Sequence, residues 1–254
     1  MAALPPLRLV IAALGLFAIG LTSAFPEPGP TPEPKSGGIV MFGDSTTAAR
    51  PGAIKKVYAV QVEESLRGRG STLAIYNAGI GGNTTRDARK RFERDVLQHQ
   101  PRVIVMQFGI NDSAVDLWKE PPVTTPRVPL DEYLENLRAM VTAAQQQKAA
   151  VILMTTNPIR WTPALKARYG KPPFDAAAED GFDTLYLSAY NEALRKLAAE
   201  LNVRLVDVRA AYPAFAVKHG TTIDGLLLDG MHPNDLGHQL VSELLVPAIL
   251  DMLR

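Results

Sequence analysis

The sequence predicts an α/β fold, a three-layer αβα sandwich built on a five-stranded parallel sheet. Two observations carry that prediction. Short apolar runs rich in β-branched residues recur along the chain, and amphipathic stretches of helical period separate them. Parallel strands cannot be joined by a tight hairpin, so this alternation sends a helix across one face of the sheet or the other at each crossover.

The elements follow in order. Ile39 to Phe42 is the first strand run, unbroken by polar residues as expected of a strand buried on both faces, and a helical pattern begins near Val57. Leu73 to Tyr76 is the second run, followed by Ala88, Phe92 and Val96 on one helical face. Val103 to Phe108 is the third, followed by Leu130, Leu134, Leu137 and Val141. Val151 to Met154 is the fourth, before a helix presenting Tyr190, Leu194, Leu197 and Leu201. Val203 to Val208 is the fifth. The last element runs from about Asn234 to Leu253, behind a His-Pro-Asn turn, with Pro247 as an expected kink. No internal repeat is visible.

Composition bounds the function. With 46% hydrophobic and 21% charged residues the 254-residue chain can bury a sizeable core, and 27 Lys+Arg against 26 Asp+Glu give a formal charge of +1. That balance argues against nucleic acid as a partner. The absence of cysteine removes disulfides, thiolate nucleophiles and Cys-ligated metal, so a nucleophile must carry oxygen or nitrogen.

The N-terminus reads as an export segment. Arg8 precedes an apolar run from Leu9 to Leu21, and Thr22, Ser23 and Ala24 supply the small residues a signal peptidase needs. The run is shorter than the ~20 residues of a membrane span, so residues 1–24 are expected to be cleaved. An uncleaved anchor is the rival reading; a lipoprotein is excluded because no cysteine follows. Residues 25–37 alternate proline with polar residues and are expected to form an extended spacer before a folded domain at 38–254. The protein is therefore expected to be secreted or periplasmic, with no stable membrane insertion after cleavage.

Two connections are too long for ordinary loops, 113–129 with Pro121, Pro122, Pro126 and Pro129, and 157–183 with Pro158, Pro163, Pro172 and Pro173. Both follow strands at their carboxyl ends, where open α/β sheets bind ligands. They are either shaped functional surfaces or mobile insertions.

Ser45, in Gly43-Asp44-Ser45, stands just after the first strand run, where a nucleophile would be presented and where a turn or cap residue would equally serve. Thr47 occupies the last position of what would be Gly-x-Ser-x-Gly, so an α/β-hydrolase elbow is absent. A hydroxyl nucleophile needs a base. Of His99, His219, His232 and His238, only His232 has a carboxylate at close spacing inside a loop, in Asp229-Gly230-Met231-His232-Pro233-Asn234. A cap role suffices for His99, and surface roles are expected of His219 and His238. The glycine-rich turn Asn77 to Thr84 and the loop Gly109-Ile110-Asn111-Asp112 both follow strands and offer donors for an oxyanion; each also reads as turn chemistry alone. A phosphate loop is disfavoured because Gly-x-x-x-x-Gly-Lys-Ser/Thr is missing.

Taken together in this order, the blocks resemble the SGNH hydrolases, the GDSL esterase and lipase superfamily, over nearly the whole folded part. The resemblance implies the SGNH-hydrolase (flavodoxin-like) fold and an acyl-serine mechanism; no metal or cofactor is expected, since the only close histidine pair, His232 and His238, lacks an i, i+4 spacing. It implies Ser45 as nucleophile, Asp229 and His232 as orienting acid and base, and the Ser45 N–H, the Gly82 N–H and the Asn111 amide as oxyanion donors. Thr46-Thr47 depart from the usual leucine or isoleucine-threonine pair, a difference that bears on substrate more than on chemistry. The last block is similar to that of secreted carbohydrate-deacetylating esterases, which implies a small-molecule or polysaccharide ester as substrate. Arg160 and Trp161, in the second long connection, are expected either to contact a sugar or to pack that loop's own core. A lipase or lysophospholipase reading, acyl transfer to a second sugar, and a non-catalytic carbohydrate-binding module on the same fold stay open.

Overall fold

The computed structural model describes residues 37–183 and 185–254. The expected signal segment and all of the expected spacer but Gly37 lie outside the described residues. Five strands form one sheet: β1 (Ile39–Gly43), β2 (Ile75–Gly79), β3 (Val103–Gln107), β4 (Ala150–Met154) and β5 (Arg204–Val206). All neighbours are parallel, in the order β2-β1-β3-β4-β5. The helices are α1 (Tyr58–Arg67), α2 (Thr85–Asp95), α3 (Leu130–Gln146), α4 (Pro163–Tyr169), α5 (Leu187–Glu200), α6 (Val208–Lys218) and α7 (Asp235–Met252).

The two-residue period of the strands divides the core into two. Ile39, Met41, Val103, Val105, Ile152 and Met154 pack with α1, α6 and α7. Val40, Phe42, Ile104, Met106, Val151 and Leu153 pack with α2, α3 and α5 on the opposite side. This two-sided burial explains why the strand runs lack polar alternation. Because α1 and α2 cover opposite faces, the chain leaves β1 in one direction and returns to β3 on its other side. The carboxyl ends of β1 and β3 therefore flank the switch point where such sheets hold ligands.

The boundaries differ from expectation at two strands. β2 starts two residues late because it is the edge strand, where Leu73 packs against the core before the ladder to β1 begins at Ile75. β5 ends at Val206 because the Asp207 side chain accepts a hydrogen bond from the Ala210 N–H at 3.2 Å and caps α6. Val208 thus opens a helix rather than closing a strand.

Both long connections are shaped surfaces. Val115 and Leu117 from the first and Ile159, Tyr169, Phe174 and Phe182 from the second build a third, smaller apolar cluster with Ile110 and Leu187. Trp161 belongs to its edge: its ring stacks on Phe182 at 4.7 Å, and its Nε1–H donates to the Asp175 carbonyl at 3.1 Å.

His238 contradicts its expected surface role. It is 1% exposed, and its Nδ1 accepts a hydrogen bond from the Tyr58 N–H at 3.2 Å. Burial, helped by the charge of Arg50, pushes its pKa down to about 4, against the opposing charge of Asp235. Between pH ~6.5 and about 4 the unfolded chain binds a proton that the folded chain refuses, so stability falls as pH drops through that window. The loss is on the order of 3 kcal/mol. His238→Asn, which keeps an acceptor toward Tyr58, is expected to flatten the fall in melting temperature between those pH values. An unchanged profile would mean that another group carries it.

Candidate active site

Ser45 is presented by a tight turn at the carboxyl end of β1. The Asp44 carbonyl accepts hydrogen bonds from the N–H groups of Thr47 and Ala48 at 3.2 and 3.0 Å, and buried Asp44 Oδ1 accepts from the Thr46 N–H at 2.8 Å. The end of β2 presses against this turn so closely that a Cβ on Gly79 would stand 2.3 Å from the Ala48 nitrogen. Asn77 ties the two together by donating to the Thr47 carbonyl at 2.8 Å and accepting from the Gly79 N–H at 3.0 Å.

The partner of Ser45 arrives on the loop before α7. Ser45 Oγ lies 2.9 Å from His232 Nε2, and His232 Nδ1 lies 2.7 Å from Asp229 Oδ2. An ionised carboxylate only accepts, so Nδ1 carries the proton and donates it to Asp229. Nε2 is then free to accept from the serine hydroxyl in the neutral ring. Asp229 Oδ1 also accepts from the N–H groups of Met231 and His232 at 3.1 and 2.9 Å, which fixes the turn. Partial burial opposes ionisation of Asp229, but these bonds and the nearby imidazole outweigh it and hold the carboxyl well below the usual range.

This loop is clamped from β4. Asn157 Nδ2 donates to the Met231 carbonyl at 2.8 Å and the Arg160 N–H to the Gly230 carbonyl at 2.7 Å. Gly230 sits at φ +84°, and an added Cβ would meet the Arg160 carbonyl oxygen at 2.5 Å, so only glycine fits here.

Donors surround Ser45 on its other side. A Cβ on Gly81 would lie 3.8 Å from Ser45 Cβ, which places the glycine-rich turn against the serine. Among the described residues no group accepts a hydrogen bond from the N–H of Ser45 or of Gly82. Asn111 Nδ2 donates to Asp44 Oδ2 at 3.2 Å, leaving its second hydrogen for another acceptor. Its neighbour Asp112 accepts from the N–H and hydroxyl of Thr85, at 2.8 and 2.5 Å, which braces α2 to the loop after β3; burial pushes this carboxyl up to about 6.

The sheet edge thus brings Ser45, His232 and Asp229 into one hydrogen-bonded chain, with the glycine-rich turn that holds Gly82 against the serine and Asn111 bonded to the neighbouring Asp44. Arg160 and Trp161 are placed elsewhere. An apolar-lined cavity of ≈ 610 Å³ adjoins His232 and Asp229, with Thr162, Leu165, Arg168, Tyr169 and Met231 on its walls. Neither Arg160 nor Trp161 lines it. Arg160 turns toward Asp224 and Glu179, 3.8 and 3.9 Å away, and Trp161 packs its own loop.

Sequence reasoning passed over several contributors. Asn157 had a usable signal, a polar residue three positions after an apolar strand run. Arg91 of α2 had none: it reaches back to donate to the Gly43 and Ala78 carbonyls at 3.0 and 2.8 Å while its guanidinium lies 4.4 Å from the Phe42 ring centre. Trp118, 46% exposed on the first long connection, has the Arg168 guanidinium 4.4 Å from its ring centre, and Arg168 lines the cavity beside His232.

A Ser-His-Asp chain at the edge of a parallel sheet suits acyl transfer, and the similarity to esterases makes the protein a carboxylic ester hydrolase. The chain belongs to the GDSL-like lipase/acylhydrolase family, whose model matches residues 41–240. It is 34% identical over 178 residues to the uncharacterized lipoprotein YqeF of Bacillus subtilis, covering 66% of this chain and 69% of that one. It is 28% identical over 226 residues to an acetylxylan esterase of Geobacillus stearothermophilus, covering 80% and 90%. Among solved structures, Axe2, an acetylxylan esterase of G. stearothermophilus, superposes with a TM-score of 0.63 at 27% identity, over 85% of this chain and 96% of that one. A lipase/acylhydrolase of Enterococcus faecalis does so at 0.62 and 26%, over 84% and 95%. The superfamily and the fold expected from the motif blocks are both borne out, and an enzyme displaces the non-catalytic binding module. Among the described residues no helix is long and apolar enough to cross a membrane.

Proposed function

We propose that the protein is an exported serine esterase that removes short acyl groups, acetyl foremost, from carbohydrate. The observation that carries the reading is the hydrogen-bonded chain Ser45 Oγ to His232 Nε2 at 2.9 Å and His232 Nδ1 to Asp229 at 2.7 Å, beside unpaired donors. Ser45 Oγ attacks the ester carbonyl carbon as its proton passes to His232 Nε2. Asp229 stabilises the imidazolium, and the Ser45 N–H, the Gly82 N–H and the Asn111 amide receive the oxyanion. Collapse breaks the bond to the alcohol, which takes the proton from His232. Water then attacks acyl-Ser45 with His232 as base, the carboxylic acid leaves, and the proton returns to Ser45.

The acetyl preference draws on the resemblance to acetylxylan esterases. Exposed Trp118 beside the cavity offers an aromatic face of the kind that stacks on sugar rings, a role that Trp161 is too occupied to fill. The apolar walls of the ≈ 610 Å³ cavity favour a second reading, a longer acyl chain. An acyl series from acetyl to octanoyl, with acetate release from acetylated polysaccharides measured beside lipid esters, separates them. Turnover is expected to be highest for acetyl and to fall with chain length; a steep rise toward octanoyl would replace the carbohydrate reading with a lipase-type one.

A further inference from the structure

The first long connection returns a cation to the site. Residues 113–129 leave the end of β3 and double back, with Val115 bridged to Pro126 and the Arg127 N–H bonded to the Ala114 carbonyl at 2.9 Å. The next residue, Val128, donates to the Asp112 carbonyl at 3.0 Å, so the return strand ends beside Asn111. There Arg127 Nη1 donates to Asn111 Oδ1 at 3.2 Å.

Arg127 itself is held on several sides. Its Nε and Nη2 donate to Asp116 Oδ1 at 2.9 and 2.7 Å. Asp116 is buried, and Lys119 occupies its second oxygen at 2.8 Å. The Arg127 carbonyl accepts from Arg86 Nη1 at 2.8 Å, and Arg86 is paired with Glu132. A planar guanidinium gripped in this way has one orientation, unlike a free surface arginine.

We infer that Arg127 is a positioning residue for the oxyanion donor Asn111. A side-chain amide can flip, exchanging its oxygen and nitrogen at little cost in shape. A guanidinium has donors only, so it must face Oδ1, and this sends Nδ2 toward Asp44 and the serine. A positive charge on the amide oxygen also polarises the N–H groups on the other end and makes them stronger donors to developing negative charge. The proline-rich connection thereby serves the reaction: it carries Arg127 and Asp116 back to the end of β3. Its expected length and stiffness were visible in the sequence, but the partner of its last turn was not.

The inference rests on the serine-esterase reading, which Ser45→Ala tests separately. Its own test is a double-mutant cycle between Arg127 and Asn111, read on kcat and KM for p-nitrophenyl acetate. Arg127→Met keeps the apolar stem and removes the donors. It is expected to lower kcat about 10-fold or more, short of the ~10²- to 10³-fold cost of losing a whole oxyanion donor, with KM within about twofold. In an Asn111→Ala background the same substitution is expected to change kcat by less than about twofold, because its only route to the substrate is gone. Arg127→Lys, which restores a cationic donor, is expected to recover part of the loss, and affinity for a boronic-acid inhibitor is expected to fall with kcat. If Arg127→Met does not fold, the Arg127→Lys cycle is read in its place, with a loss smaller but equally dependent on Asn111. An undiminished effect in the Asn111→Ala background, or a loss confined to KM, would overturn the inference.

Discussion

Ser45→Ala is expected to lower kcat by about 10⁴- to 10⁶-fold while leaving the fold intact. The serine is half-buried, and its side chain makes one hydrogen bond, to His232, so removing the hydroxyl costs little packing. His232→Ala is expected to cost about as much, and the double variant little more than either single one, since the two groups act as a unit. Circular dichroism and melting temperature separate lost chemistry from lost structure. Retention of most activity by Ser45→Ala would sink the mechanism, and independent, multiplying losses would mean that serine and histidine serve different steps.

Asn111→Ala is the second large effect. A single preorganised donor to an oxyanion is worth about 10²- to 10³-fold in kcat, because it acts where charge develops rather than on the bound ester. KM is therefore expected to stay within a few-fold while kcat falls. The variant leaves Arg127 without its amide partner, though that arginine keeps Asp116, and it takes the donor from buried Asp44 Oδ2, so a destabilisation of about 1–3 kcal/mol is expected beside the loss in kcat. A loss in KM alone would reassign Asn111 from the transition state to ground-state binding.

What the sequence revealed, and what it hid, follow from range. The strand runs around Met41, Val105 and Ile152 announced themselves because both faces of the sheet are covered, and α7 was bounded by its Asn234 cap. Ser45, Asp229 and His232 were visible because each sits in a short motif at a strand or helix end. The shift of β2 and the unexpected α6 arose where local apolarity competes with an edge position or a capping aspartate. His238 shows the same limit: a histidine on a helix reads as solvated until the packing of α1 against it is known. The contacts described for Arg91, Asn157 and Arg127 link residues from 11 to 74 positions apart, and no spacing rule reports them. Trp161 was a fair choice for a sugar contact on chemistry alone, but two aromatic neighbours, Phe174 and Phe182, were close enough in sequence to claim it first.

Passage of the acyl group through Ser45 is open to direct test. The most direct measurement quenches the enzyme during a burst with p-nitrophenyl acetate and locates the acetyl group by peptide mass spectrometry. One acetyl group is expected on the peptide that holds Ser45, formed at the rate of the burst and absent from His232→Ala. Acetyl found only on another residue, or a burst with Ser45 unmodified, would contradict it.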